Sequence, residues 1–168
     1  MQIHLATSTG IGSTKLAAFD AALNNAGIAN YNLLLLSSVV PPGSELIRHE
    51  STIPAGTLPG AWGDRLYVVM AQQRADVAGD EVWAGIGWVQ DPETGKGLFV
   101  EHEGTSEAEV RSDVQASLTD LMKTRGVDFG EIHMAVQGTR CEGEPVCAMA
   151  VAAYQVSDWQ NAAQHLGV

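Results

Sequence analysis

The chain has 168 residues, a length suited to one hydrophobic core. Its 20 acidic side chains outnumber 9 basic ones and leave a formal charge of −11, so the basic patch that nucleic acid or an anionic membrane surface demands is missing. No run approaches the roughly 18 consecutive apolar residues of a membrane span, and MQIHLATSTG lacks the basic start and apolar core of a signal peptide, which together predict a cytoplasmic protein.

Gln2 to Thr7 alternates Ile3 and Leu5 with Gln2 and His4 and predicts a short strand. Gly10 and Gly12 predict a turn into a helix. A dinucleotide loop does not fit, because Lys15 stands where the third glycine of G-x-G-x-x-G belongs and Asp20 comes too early for a ribose carboxylate. The helix is expected from Thr14 to Asn25, capped by Ser13 or Thr14 and stopped by Gly27, with Leu16, Phe19 and Leu23 as its apolar stripe. At 100° per residue Asp20 lies about 60° from the centre of that stripe, at the edge of the buried face, where a carboxylate needs a partner.

From Tyr31 to Gly43 the sequence reads YNLLLLSSVVPPG. Leu33 to Leu36 with Val39 and Val40 predict a core strand apolar on both faces. Pro41 and Pro42 end it, since neither donates a ladder hydrogen bond and each restricts the residue before it. Ser37 and Ser38 therefore fall near the end of a buried strand. Two readings of the pair stand side by side: hydroxyls bonded to their own backbone, or a strained peptide in which one hydroxyl attacks the preceding carbonyl. Asn32 and Ser38 share a face, yet six residues at about 3.3 Å each separate them by roughly 20 Å along an intact strand. Either that strand bends sharply or Asn32 serves a neighbouring subunit.

Gly43 to Asp64 carries Pro54, Pro59 and glycines at 43, 56, 60 and 63; it is the longest irregular stretch and is expected to wrap the surface, with a second subunit as a candidate contact. Strands follow at Arg65 to Gln73, Glu81 to Gln90 and Gly97 to Glu103, with turns at Ala78 to Asp80 and Asp91 to Gly95. Trp83, Gly85 and Gly87 share one face, and glycine there implies that another backbone packs closely. In the third strand Phe99, Glu101 and Glu103 face opposite to Leu98, Val100 and His102. Glu101 comes directly after three apolar residues, where burial favours a carboxyl that holds a proton, as a general acid must.

Ser106-x-x-Glu109 is a capping box. Val110, Val114, Leu118, Leu121 and Met122 continue it as a helical stripe to about Arg125, which Gly126 ends. Asp128 to Val136 and Val146 to Val156 predict two further strands, and Ser157 to Leu166 a short terminal helix. Cys141 and Cys147 are too few for a disulfide framework and read as buried thiols. Histidines at 4, 49, 102, 133 and 165 show no paired spacing such as H-x-x-x-H, so no metal site is predicted, and no G-x-S-x-G nucleophile elbow occurs. The order β, α, then several β argues for an α+β fold of two β layers covered by the two helices.

Three segments, in this order along the chain, resemble motifs of the pyruvoyl-dependent arginine decarboxylases: TKLAAFDAALNNAGI at Thr14 to Ile28, YNLLLLSSVVPPG at Tyr31 to Gly43, and LFVEHEG at Leu98 to Gly104. With weaker similarity near the C-terminus, the resemblance covers most of the first 155 residues. It implies a single-domain, four-layer αββα sandwich that assembles as a homotrimer or a dimer of trimers, with sites at subunit interfaces. It also implies self-cleavage between Ser37 and Ser38, giving a β chain of residues 1–37 and an α chain of residues 38–168. Ser38 would become a covalent pyruvoyl group, with neither metal nor pyridoxal phosphate.

L-Arginine would then form a Schiff base with that group and yield agmatine and carbon dioxide. The resemblance assigns Asn32 and Glu101 as catalytic, Glu101 rather than Glu103 returning a proton to the substrate carbon, and Asp20 as the partner of the substrate guanidinium. The other class compatible with these residues is a non-processing homologue that binds a small cation or regulates a partner subunit.

Overall fold

Residues 1–159, the part of the chain that the computed structural model describes, fold the sequence patterns into nine strands and two helices. Strand β1 (Gln2–Ile11) leads into helix α1 (Lys15–Ala26), then β2 (Asn32–Leu35), β3 (Val39–Val40) and β4 (Glu45–Arg48). The rest comprises β5 (Arg65–Ala75), β6 (Glu81–Gln90), β7 (Gly97–Gly104), helix α2 (Glu107–Arg125), β8 (His133–Arg140) and β9 (Val146–Ser157). One sheet runs β2-β5-β9-β1-β4, with β2 parallel to β5 and β4 parallel to β1; the other runs β3-β7-β6-β8 and is antiparallel throughout.

The parity of β9 shows how the layers are built. Cys147, Met149, Val151 and Ala153 face Ala18, Ala22 and Ala26 of α1, while Ala148, Ala150, Ala152 and Tyr154 point at the second sheet. Helix α2 covers that second sheet from outside through Val110, Val114 and Leu118, against Leu98 and Val100. The order α1, sheet, sheet, α2 is the expected four-layer α+β sandwich.

Both helices are capped as their sequences require. Thr14 accepts from the Ala17 N–H, and Gly27 closes α1 at φ 83°. Ser106 accepts from the Glu109 N–H, and Gly126 closes α2 at φ 63°. Glu109 reaches back to the Thr105 N–H instead of the Ser106 N–H, so the box closes one residue early.

Close approach of α1 to β1 depends on glycine. A Cβ on Gly10 would stand 2.2 Å from the Ala18 carbonyl oxygen, and one on Gly12 2.6 Å from Ala17 and Ala18 backbone atoms. Their role is therefore tight helix-on-strand packing as well as the turn. On β6 the closest neighbours of the glycines are side chains of α2, where a backbone was expected: Val110 Cγ1 lies 2.7 Å from a Cβ on Gly85, nearer than the Ala135 carbonyl oxygen at 3.6 Å, and Val114 Cγ1 lies 2.1 Å from one on Gly87.

Four other expectations are corrected. The Leu33 to Val40 segment is no doubly buried strand: it is split between β2, at the edge of one sheet, and β3, at the edge of the other, leaving Leu35 69% exposed. Of the helix stripe expected at Leu16, Phe19 and Leu23, Leu23 is buried and Phe19 packs at the edge of the core, but Leu16 is 68% exposed and Ala18, Ala22 and Ala26 complete the buried face, because only small residues fit over Gly10 and Gly12. The stretch after Pro42 is not wholly irregular, since β4 adds to β1 there. Strand β8 starts at His133, five residues later than expected, and the 128–132 segment is loop. Strand β9 runs to Ser157, and most of the expected terminal helix lies outside the described residues.

Both cysteines are buried, and burial pushes the Cys147 thiol up to about 11, with Arg74 opposing the shift, so it stays an inert SH group. Sequence spacing did not pair any histidines, yet the β1–β4 ladder brings His4 and His49 together. His4 Nδ1 lies 3.1 Å from His49 Nε2, and the rings stack at 5.3 Å. Burial and His49 together lower the proton affinity of His4 below its ordinary 6.5, against the opposing charge of Glu45. The unfolded chain thus binds that proton more readily, and stability present above about pH 6.5 is lost as pH falls through it. Urea titrations from about pH 7.5 to about pH 5.5 should show a smaller loss of midpoint in His4→Gln than in the unaltered chain. Equal losses would show that the histidine pair carries no pH dependence.

Candidate active site

The two sheets are joined at one corner by residues 36–38. The Leu36 N–H ends the β2 ladder on the Val68 carbonyl at 2.9 Å, and β3 begins at Val39 opposite Leu98. Between them the chain must leave one sheet and enter the other. Ser38 makes the turn with φ 67°, and it is the one residue other than glycine with positive φ among the described residues. For a residue with a Cβ this left-handed conformation costs about 1–2 kcal/mol. It is held from the far side by the Phe99 N–H, which donates to the Ser38 carbonyl at 2.8 Å.

Strand parity on β7 then decides what meets the serine. Phe99 faces the core between the sheets, so Glu101, two residues on, emerges on the same side at the rim where β3 has ended. The Ser38 hydroxyl donates to its carboxylate, 2.8 Å from Oε2 and 3.0 Å from Oε1. Both residues are half-buried. They open onto a cleft of about 460 Å³, within the range of small-ligand sites, walled on the other side by Ser117, Asp120, Leu121, Thr124 and Arg125 of α2.

Two groups that the sequence reading did not single out complete the corner. Tyr154, packed edge-on against Phe99 at 6.1 Å, donates its hydroxyl to the Val39 carbonyl at 3.1 Å. Burial, reinforced by the nearby Glu101 carboxylate, pushes that hydroxyl above the ordinary tyrosine range, so it remains a donor. His102 points the opposite way from Glu101, and its Nε2 lies 2.8 Å from Ser117 Oγ on α2. The alternation of β9 could have placed Tyr154 on the inner face; its partner could not be read from sequence.

Ser37, Ser38 and Glu101 are therefore brought together within one chain, whereas Asn32 and Asp20 are not. Asn32 lies at the start of β2, and its amide donates to the Gly63 carbonyl. Asp20 is exposed on α1, on the outer side of the β1 sheet and away from the cleft. The buried centre of α1 lies near Ala22, which puts Asp20 well over 90° from it, and the expected edge position does not hold. Among the described residues no group of three or more His, Cys, Asp or Glu side chains could hold a metal ion, and no helix is long and apolar enough to cross a membrane.

Comparison with known proteins gives the family. The family model for pyruvoyl-dependent arginine decarboxylase matches residues 2–159. The chain belongs to that family. A pyruvoyl-dependent arginine decarboxylase of Halobacterium salinarum is 34% identical over 163 residues, covering 94% of this chain and 96% of the relative. One of Methanocaldococcus jannaschii is 35% identical, covering 90% and 87%, and one of Thermococcus kodakarensis is 31% identical, covering 88% and 90%. Membership of this enzyme family implies a pyruvoyl group. The donor set fits its formation, since a serine in a strained conformation has its hydroxyl on a carboxylate at the cleft wall.

Tyr154→Phe removes one hydrogen bond while keeping the ring against Phe99. It should destabilise the chain by about 1–3 kcal/mol by leaving the Val39 carbonyl unpaired, read from urea unfolding in a Ser38→Ala background so that backbone scission plays no part. A midpoint unchanged from the parent would show that the Val39 carbonyl finds another partner.

Proposed function

We propose that this chain is a self-processing pyruvoyl-dependent decarboxylase that converts L-arginine to agmatine and carbon dioxide. The observation that carries the reading is the Ser38 hydroxyl resting on both oxygens of Glu101 at a residue held with φ 67°. A serine hydroxyl is a weak nucleophile until a base takes its proton, and Glu101 is placed to do so.

In the processing step Ser38 Oγ attacks the carbonyl carbon of Ser37 and its proton passes to Glu101. The Ser37 C–N bond breaks, and the amine of residue 38 takes up a proton. Loss of the Ser38 Hα and cleavage of its Cβ–O bond then release the Ser37 carboxylate and leave dehydroalanine. Water adds as ammonia departs, and a pyruvoyl group remains at the head of residues 38–168, the α chain, while residues 1–37 become the β chain. Release of the left-handed strain at Ser38 favours this direction.

A pyruvoyl group at this position would supply a ketone for the substrate α-amine and a sink for the electron pair left as carbon dioxide departs, the work that pyridoxal phosphate does elsewhere. Once the serine hydroxyl is gone, Glu101 carries its proton to the substrate carbon that lost carbon dioxide. The same carboxylate thus acts as base during maturation and as acid during turnover.

Asn32 and Asp20 enter this reading from a neighbouring subunit, which accounts for their distance from the cleft of their own chain. Leu16 on α1, Leu35 on β2 and Val39 on β3 are 68%, 69% and 48% exposed, apolar surface of the kind that subunit contacts cover. A homotrimer, or a dimer of trimers, closes such surfaces in a ring and supplies each cleft with an amide and a carboxylate from the adjacent chain. The Asp20 carboxylate then takes the substrate guanidinium in a paired hydrogen bond.

Intact-mass measurement of the purified protein should give two fragments divided between Ser37 and Ser38, the larger lacking a free amino terminus. Ser38→Ala should remain one chain, and Glu101→Gln should cleave slower by about two to four orders of magnitude, the usual loss with a general base. A single intact chain after long incubation would sink the processing step. Asn32→Ala and Ser38→Ala proteins, each inactive alone, should regain decarboxylation when mixed under conditions of subunit exchange. No recovery would place Asn32 in the site of its own chain.

A further inference from the structure

The cleft beside Ser38 has a second charged wall that neither the catalytic pair nor the family match addresses. Helix α2 follows β7 after a two-residue turn and packs back antiparallel to it, and the contact of His102 with Ser117 fixes their relative height. From there the helix advances about 1.5 Å per residue while the strand retreats about 3.3 Å per residue. Asp120, three residues on from Ser117, stands level with Glu101, and Arg125 stands level with Leu98 and Phe99. Both line the cleft that holds Ser38. Neither forms a hydrogen bond or an ion pair among the described residues, although each is exposed to the cleft. The cleft is therefore polarised along its length, negative near Glu101 and positive about 7 Å further along.

We propose that Asp120 is a specificity residue that receives the cationic end of the substrate from within the same chain. The inference rests on the arginine reading above and deepens it. A guanidinium presents five donors in a plane, more than a single carboxylate can accept, so an Asp20 supplied by a neighbour leaves donors for a second acid. Arg125 repels the same group from the other end and fixes which way the side chain lies. A neutral tail of equal length gains nothing from either charge, so the pair discriminates by charge and not by shape.

The test compares L-arginine with L-citrulline, its neutral isostere. In a Ser38→Ala background, where no chemistry follows binding, calorimetry should show arginine binding about tenfold or more tighter than citrulline, the scale of one charge-assisted hydrogen bond. Adding Asp120→Asn should cut that ratio several-fold, the remainder resting on the neighbour's Asp20, and Asp120→Glu should restore most of what is lost. In the processed enzyme, Asp120→Asn should lower kcat/KM for arginine about tenfold, chiefly through KM, with cleavage at Ser38 complete by mass. An arginine preference that Asp120→Asn leaves intact, or no arginine binding in the Ser38→Ala protein, overturns the proposal. Asp120-dependent binding in a chain that never cleaves or decarboxylates would instead overturn the enzymatic reading and leave Asp120 as the cation site.

Discussion

The structure turns on the crossing from one sheet to the other between Leu36 and Val39. Only Ser37 and Ser38 stand between the end of the β2 ladder at Leu36 and the start of β3 at Val39, so the crossing has few dihedral angles with which to change direction. Its ends are fixed by backbone hydrogen bonds, from the Leu36 N–H to the Val68 carbonyl on one side and from the Phe99 N–H to the Ser38 carbonyl on the other. A chain pinned at both ends over so few residues cannot choose its dihedral angles freely, and the left-handed turn at Ser38 is the result. Strain of this kind persists only where surrounding contacts over-determine it, and here the Phe99 amide and the Tyr154 hydroxyl do so.

Small residues make up much of the layer between the sheets. Ala148, Ala150 and Ala152 of β9 and Ala71, Ala75 and Ala84 of the neighbouring strands fill the space between the sheets. Larger side chains in that layer would spread the sheets and strain a crossing of only two residues. The same economy of volume appears outside, where alanines of α1 sit over Gly10 and Gly12 and valines of α2 occupy the hollows at Gly85 and Gly87.

How much of this could be read beforehand follows from which signals are local. Caps at Thr14 and Ser106, stops at Gly27 and Gly126, and the alternation that puts Glu101 beside Phe99 depend on near neighbours, and they held. The four leucines before the serines misled, because an apolar run looks the same whether its second face is covered by its own chain or left bare at a sheet edge. The stripe of α1 misled for a related reason. Periodicity weights Leu16 by its hydrophobicity, but the glycines opposite admit only alanine, so steric fit overrode hydrophobic pattern. Asp20 was displaced with the stripe. The partnerships of Tyr154 with Val39, of His102 with Ser117 and of His4 with His49 join residues 115, 15 and 45 positions apart, which no local pattern reports.

A backbone break at the crossing asks little of the rest of the fold. Residues 1–37 supply β1, α1 and β2, and β1 is an interior strand, paired antiparallel with β9 on one side and parallel with β4 on the other. Ile3 and Leu5 of β1 are buried between the sheets, and Ala18, Ala22 and Ala26 of α1 are buried outside them. Ladder bonds and this apolar burial, not the peptide bond at residue 37, hold the segment in place. A cut there would release the strained residue while the framework around it stays closed, so the same packing that holds Ser38 against Glu101 would also keep Glu101 in position. A sandwich whose first strand lay at an edge would lose that strand on cleavage, and the site with it.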